Sequence, residues 1–213
     1  MSFDPEAIRA EGPALTGPAA LQHSAAVSDY LNFYQLDFTS HYPEVEHRFG
    51  FFGGAGFQVA AHALTVPGAT HTVVMVHGYY DHVGLYRHLI HYCLQKGWSV
   101  LAYDLPGHGL SSGERATIET FGQYQTVLAA ALEQWLAEDL GSGDVTSLAV
   151  VDERDCTAAI RGGPGTLSGG RAAELLFAQG GVCCELAFAD GDALPAGAGV
   201  ARLAGAAREI LAR

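Results

Sequence analysis

The sequence predicts a mixed α/β fold: an antiparallel edge hairpin, then parallel strands with helices on both faces of the sheet, then a divergent Gly/Ala-rich C-terminal tail. Three observations predict it. Residues 45–64 hold two strand-like segments joined by a glycine-rich turn, residues 71–138 alternate apolar strand runs with amphipathic helical runs, and the composition changes abruptly near Gly141. At 213 residues and 49% hydrophobic, the chain can bury a sizeable core and is not compositionally disordered.

The elements follow in order. "VEHRFGFF" (45–52) and "FQVAAHAL" (57–64), linked by "GGAG", read as a hairpin. "HTVVMVHG" (71–78) is a continuous β-branched run without polar alternation, which predicts a central strand covered on both faces. "LYRHLIHYCLQKG" places Leu85, Leu89 and Tyr92/Cys93 at helical spacing and stops at Gly97, a C-cap. "WSVLAYDLPGHG" is a second buried strand running into a glycine loop. Phe121, Tyr124, Val127, Leu128, Ala131, Leu132 and Trp135 then form one face of a long helix. Strand, helix, strand, helix in this order implies right-handed crossovers and a largely parallel sheet. Residues 1–44 are left as an N-terminal extension, 45–140 form the half-domain, and 141–213 are expected to pack poorly. The end of the tail, "VARLAGAAREILAR", predicts a terminal helix with Val200, Leu203, Ala207, Ile210 and Leu211 on one face.

Charge and composition exclude some classes of function. Twenty-three acidic against 11 basic side chains give a net charge of −12, which argues against nucleic acid or an anionic membrane surface as partner. The start has no basic region followed by an apolar stretch, and no later run approaches a membrane span, so the expectation is a cytoplasmic chain. Four scattered cysteines, with Cys183 and Cys184 adjacent, lack metal or redox spacing and read as free thiols. No metal and no cofactor is implied. All ten histidines lie between His23 and His108, and beyond Gly141 there is no His, Lys, Tyr or Trp. Residues 1–140 carry 14 acidic and 5 basic side chains (net −9) and residues 141–213 carry 9 and 6 (net −3), so the two parts look like different proteins.

Two motifs stand at the ends of consecutive buried strands. His77-Gly78 is followed four residues after the glycine by His82, and Asp104-Leu105-Pro106-Gly107-His108-Gly109 follows the next strand. Together, over residues 45–138, they resemble the N-terminal half of the α/β-hydrolase superfamily, in particular its monoacylglycerol lipase and lysophospholipase branch, also called serine aminopeptidase-like. The resemblance implies a small-molecule ester or lipid substrate. It also implies that the Tyr79 N–H is an oxyanion donor, because a tetrahedral intermediate places negative charge where preorganised backbone donors can meet it. His77, Gly78, His82, Asp104, Gly107, His108 and Gly109 then structure the two loops, and His82 and His108 hold them rather than take protons.

"GLSSG" matches G-x-S-x-G at Ser111, but a nucleophile elbow needs a buried strand before the serine and a helix after it. Ser111 lies seven residues past Asp104 and is followed by the polar "SGERATIET", so the match is accidental. The elbow belongs near residues 148–155, where "SLAVVDERDC" has an acceptable strand and no serine after it. Ser168 in "TLSGGRAAELLF" is the remaining candidate nucleophile, although Thr166 replaces the first glycine. "LSGGR" also resembles the signature peptide of ABC-type ATPases, but no G-x-x-x-x-G-K-[ST] accompanies it. The superfamily orders its triad Ser, Asp/Glu, His, and no histidine follows His108. The expectation is an ester hydrolase that is truncated or frame-altered and catalytically incomplete in this chain. Its alternative is a non-catalytic α/β-hydrolase-like module that binds or assembles. In either case the half-built sheet predicts self-association through an exposed edge.

Overall fold

The computed structural model describes residues 2–140, 151 and 154–211, and divides into two compact units, Met1–Trp135 and Leu136–Arg213. In the first, β1 (Glu46–Gly54), β2 (Phe57–Thr65), β3 (Thr72–Val76) and β4 (Ser99–Tyr103) form a sheet in the order β1-β2-β4-β3. The pairs β1/β2 and β2/β4 are antiparallel. The pair β3/β4 is parallel, from Thr72 beside Ser99 to Val76 beside Tyr103, and the helix α3 (Arg87–Gln95) connects its two strands.

The period-two alternation of the strands sorts their side chains into two cores. Phe49, Phe51, Ala60, Leu64, Val100 and Ala102 point to one face, where they meet Ile8 of α1 (Pro5–Glu11), Tyr30 of α2 (Ala25–Tyr34) and Ile90 of α3. Phe52, Val59, Ala61, Ala63, Leu101 and Tyr103 point to the other, where Val127, Ala131 and Trp135 of α4 (Phe121–Leu140) cover them. Residues 1–44 belong to this unit: Asp4 and Ser24 cap α1 and α2, whose apolar side chains enter the first core. Pro13–Leu15 line the outer edge of β1, where the Phe51 N–H donates to the Pro13 carbonyl at 2.8 Å and the Leu15 N–H to the Phe51 carbonyl at 3.0 Å.

Two sequence expectations are corrected here. β3 reads as a central strand, but among the described residues it has a neighbour, β4, on one side alone, and none of its five side chains is fully buried. A continuous apolar run reports what a strand could bury, not what lies beside it. In α3 the buried face is Ile90, Cys93 and Leu94, while Leu85, Leu89 and Tyr92 are exposed. The helix carries apolar residues on two faces, and the sheet takes one. The stop is where expected: Gly97 adopts φ 71°, and the Trp98 N–H donates to the Cys93 carbonyl at 3.1 Å.

The second unit holds β5 (Asp155–Gly162), β6 (Gly165–Thr166), α5 (Gly170–Gln179), β7 (Cys183–Leu186), β8 (Ala193–Leu194), β9 (Ala198–Ala206) and α6 (Ala207–Leu211). Its sheet runs β5-β9-β7, all antiparallel, and β6 pairs with β8. The expected terminal helix over 200–213 is therefore mostly strand. β9 has hydrogen-bonding neighbours on both sides, which outweighs a helical period in a segment too short to be stable as an isolated helix. Among the described residues, Phe177, Val182 and Leu203 form the buried cluster of this unit, with Ala158, Cys184 and Ile210 against it. All four cysteines are free thiols. Among the described residues no helix is long and apolar enough to cross a membrane. The expected nucleophile strand, residues 147–151, lies outside the described residues except for its last position.

Inside the first core runs a polar chain that residue spacing does not reveal. Tyr30 Oη lies 3.1 Å from His62 Nε2, and His62 Nδ1 lies 3.1 Å from His47 Nε2. The His23 ring stands against His47, 5.4 Å between centroids. Burial pushes the His47 imidazole down to about 3, with the neighbouring His23 adding to the effect, and burial also pushes His62 well below its ordinary value. Both are neutral when folded. Their contribution to stability is complete above the unfolded value of about 6.5 and is lost as pH falls toward the folded one. Urea unfolding free energies are expected to fall from pH 7 through 6 to 5, more steeply in the second step, and His47→Gln to remove about 2 kcal/mol of that fall over the whole range. An unchanged slope would show that His47 titrates freely in the native state.

Candidate functional site

Ligands of open α/β sheets gather beyond the carboxyl ends of parallel strands, and both motif loops lie there, after Val76 of β3 and after Tyr103 of β4. Asp104 joins them. It is 2% exposed, and its Oδ1 accepts the Val83 N–H of the first loop while its Oδ2 accepts the Leu110 N–H of the second, each at 2.8 Å. Burial raises its carboxyl above the ordinary range, against the opposing pull of these two N–H groups and of His77 and His82. Gly109 makes room for this bridge and Gly107 for the turn of the second loop. At Gly109, with φ 50°, a Cβ would lie 2.1 Å from Asp104 Oδ2, and at Gly107, with φ 72°, it would lie 2.2 Å from the Glu114 carbonyl. The last glycine of D-x-x-G-x-G is thus a packing requirement of the buried carboxylate, and the first lets the loop close against the Glu114 carbonyl.

His77 is buried and uses both ring nitrogens: Nδ1 donates to the Gly78 carbonyl at 2.8 Å, and Nε2 accepts the Leu105 N–H at 2.9 Å. Burial lowers its pKa, in keeping with a neutral ring held in one tautomer. His82 Nδ1 accepts the Gly84 N–H at 3.1 Å and caps the short 3-10 turn Val83–Tyr86. His108 Nδ1 donates to the Pro106 carbonyl at 2.9 Å, and its buried Nε2 meets no partner among the described residues. The Gly78 N–H points to Tyr86 Oη at 3.4 Å, and that hydroxyl donates to Asp81 Oδ2 at 3.2 Å. Among the described residues no acceptor meets the Tyr79 N–H. The Tyr79 side chain, 64% exposed, reaches across to donate to the Ala116 carbonyl at 2.6 Å.

Ser111 is a strut. Its hydroxyl accepts the Ala60 N–H at 2.9 Å and donates to the Asp104 carbonyl at 2.6 Å, joining β2 to the end of β4 at 4% exposure. Ser168 lies in the second unit, exposed, between the two-residue strand β6 and the start of α5. No buried strand presents it, and the sequence places no histidine in its unit.

Between the two loops lies a cleft of about 370 Å³, lined among others by Arg9, Tyr80, Asp81, His82, His108 and Arg115. Arg9 arrives from α1, where Nε donates to the Leu110 carbonyl and Nη2 to the Gly109 carbonyl, each at 3.1 Å. Arg9, Arg115 and the Tyr86–Asp81 pair are absent from the sequence expectation. They come from segments without a motif, and folding alone brings them to the loops. Among the described residues no group of three or more His, Cys, Asp or Glu is placed to hold a metal ion.

Residues 68–148 match the family described as serine aminopeptidase, S33 (Hydrolase_4), a span that takes in both loops. A 44-residue stretch, 21% of this chain, is 46% identical to 5% of an uncharacterized abhydrolase domain-containing protein from Dictyostelium discoideum. Among solved structures, the nicotinate-nucleotide pyrophosphorylase from Francisella tularensis is 26% identical, with a TM-score of 0.37 over 40% of this chain and 31% of that one. The Pyrococcus furiosus esterase Pf2001 is 20% identical, with a TM-score of 0.39 over 60% of this chain and 41% of that one. The chain spans less than half the length of each of these relatives.

Ser111→Ala is expected to lower stability by about 1–3 kcal/mol, because it strands a buried N–H and a buried carbonyl. Ser112→Ala removes the acceptor of the bond that the exposed Gln58 N–H donates to Ser112 Oγ, which water can replace, and is expected to cost less. Denaturant midpoints of the two variants check this, and equal costs would show that burial of the Ser111 hydroxyl is not what matters.

Proposed function

We propose that residues 45–140 are the oxyanion-bearing half of an α/β-hydrolase acting on carboxylic esters, of the lysophospholipase or monoacylglycerol lipase kind, and that the chain is catalytically incomplete. The observation that carries this reading is the Tyr79 N–H, free of any acceptor among the described residues, on a His-Gly loop at the carboxyl end of β3. The family match over residues 68–148 supports it. Such an N–H stabilises the charge that develops on the carbonyl oxygen during attack, while Gly78, whose N–H already meets Tyr86, leaves that part to its neighbour. Attack also needs a serine activated by a base, and no histidine of the two loops is placed to act as one. His77 has both nitrogens engaged, His82 caps a turn, the free nitrogen of His108 is buried, and no histidine follows.

Hydrolysis of p-nitrophenyl butyrate at the buffer rate is expected, with no covalent labelling by a fluorophosphonate and with a cooperative melt. Labelling at Ser168 or at any other serine would overturn the incomplete-site reading.

The composition break favours a cause for the incompleteness. The change near Gly141 to a Gly/Ala/Arg-rich sequence falls where the family would place its nucleophile strand, and a GC-rich gene read out of frame yields those residues. We read residues 141–213 as the product of a frame change. Translating the coding DNA from codon 135 onward in the other two frames is expected to give an apolar strand, then G-x-S-x-G opening a helix at roughly codon 150, then an Asp and a His. If neither frame does so, the tail is native and the chain is a non-catalytic α/β module.

A further inference from the structure

Basic side chains are scarce in residues 1–140, 5 against 14 acidic, yet two of the five, Arg9 and Arg115, line the cleft between the loops. Asp81 is the acidic residue of that lining, and its Oδ2 already accepts the Tyr86 hydroxyl. Arg9 is held in place: its Nη1 pairs with Glu6 at 2.6 Å, and its other two nitrogens meet the Leu110 and Gly109 carbonyls. Arg115 is not held. It is exposed, and among the described residues no hydrogen bond or ion pair meets its guanidinium. His108, which lines the same cleft, is 5% exposed, with Nδ1 on the Pro106 carbonyl. In an uncharged ring that donates through Nδ1, Nε2 is an acceptor, and here that acceptor is buried without a donor among the described residues, a rare and costly arrangement.

We infer that this cleft binds an oxyanion that brings its own proton, of which hydrogen phosphate is the simplest. The Arg115 guanidinium takes two of its oxygens, a pairing that is bidentate and charge-assisted. Its P–O–H donates to His108 Nε2 and supplies the partner that the nitrogen lacks. The Tyr79 ring, 64% exposed, stands against His108 at 5.7 Å between centroids, and a small shift of that exposed ring opens the way from the cleft to Nε2. Charge and proton are both required. A carboxylate or a sulfate meets Arg115 but carries no proton for His108 at neutral pH, and a phosphodiester, the form found in a lipid headgroup, carries none either. At about 370 Å³ the cleft stands at the lower end of the range for small-ligand sites, roughly 300–1,000 Å³, as a ligand of this size requires. The inference rests on the geometry of the two loops and not on the ester-hydrolase reading, since binding needs no nucleophile.

An amide NMR titration of the full chain with inorganic phosphate, at neutral pH and constant ionic strength, tests it. Saturable shifts centred on the amides of Gly109, Gly113 and Arg115 are expected, with a dissociation constant on the order of 1 mM. Sulfate and dimethyl phosphate are expected to bind at least tenfold more weakly. Arg115→Gln, at an exposed position, is expected to weaken phosphate binding at least tenfold. Lys96→Gln removes an equal charge outside the cleft and is expected to change nothing. His108→Asn keeps a donor where Nδ1 stands and removes Nε2, and is expected to bring phosphate down to the affinity of sulfate. Should that variant fail to fold, the comparison of phosphate with sulfate on the unaltered chain decides the same point. Shifts that stay linear to about 20 mM phosphate overturn the inference. So does equal affinity for phosphate and sulfate, or a Lys96→Gln effect as large as that of Arg115→Gln.

Discussion

The Asp104 carboxylate accepts one N–H from each of two loops that are 27 residues apart in sequence at Val83 and Leu110, and the carboxyl end of the parallel pair is organised around it. Removing a carboxylate from water is costly, and the raised pKa records that cost; the two charge-assisted hydrogen bonds offset it only when both loops are closed. The main chain at the same residue is tied as firmly. Its N–H donates to the Ala60 carbonyl at 2.9 Å, and its carbonyl accepts from Ser111 Oγ. One residue therefore fixes the end of β4 to β2, the second loop to the strand, and the first loop to the second.

Much that resembles catalytic equipment is consumed by this fastening. His77 spends its two nitrogens on the Gly78 carbonyl and the Leu105 N–H, and Ser111 spends its hydroxyl on two backbone groups. A histidine with both nitrogens paired cannot take up a proton without breaking a bond, and a serine that is 4% exposed cannot meet a substrate. The loops are held in place by a serine and a histidine whose polar atoms are all engaged in backbone hydrogen bonds. Among the described residues, what they leave without an acceptor is backbone, the Tyr79 N–H.

The sheet shows the same economy of covering. One face is closed by α1, α2 and α3 and the other by α4, while a short extended segment lines β1. Apolar side chains left outside these layers gather along β3 and the outer side of α3. That is the side on which the chain is written as though a further layer lay beside it. The second unit contrasts with this: its strands are rich in Ala and Gly, which bury little area, and its cluster rests on Phe177, Val182 and Leu203.

Local physics made part of this legible in the sequence. Hairpin, buried β4, the Gly97 stop and the long α4 follow from turn chemistry, β-branched runs and a 3.6-residue period, each of which acts within a few residues. The D-x-x-G-x-G pattern marked a strand-end loop, and the rejection of Ser111 as a nucleophile followed from what precedes and follows it. Position in the sheet was not legible. β3 and β4 are both apolar, and which of them has a neighbour on each side among the described residues depends on pairing with β2, nearly forty residues before β4. The inward face of α3 was decided by which apolar side met the sheet, and β9 by two ladder partners that no window of its own sequence contains. The string from Tyr30 through His62 to His47, and the bridging of two loops by Asp104, join residues that are distant along the chain and adjacent in the core. Local propensity selects elements because it acts between neighbours in sequence. Which elements meet, and which polar groups are buried together, is decided by long-range packing, since that is where the desolvation of a carboxylate or an imidazole is either compensated or not.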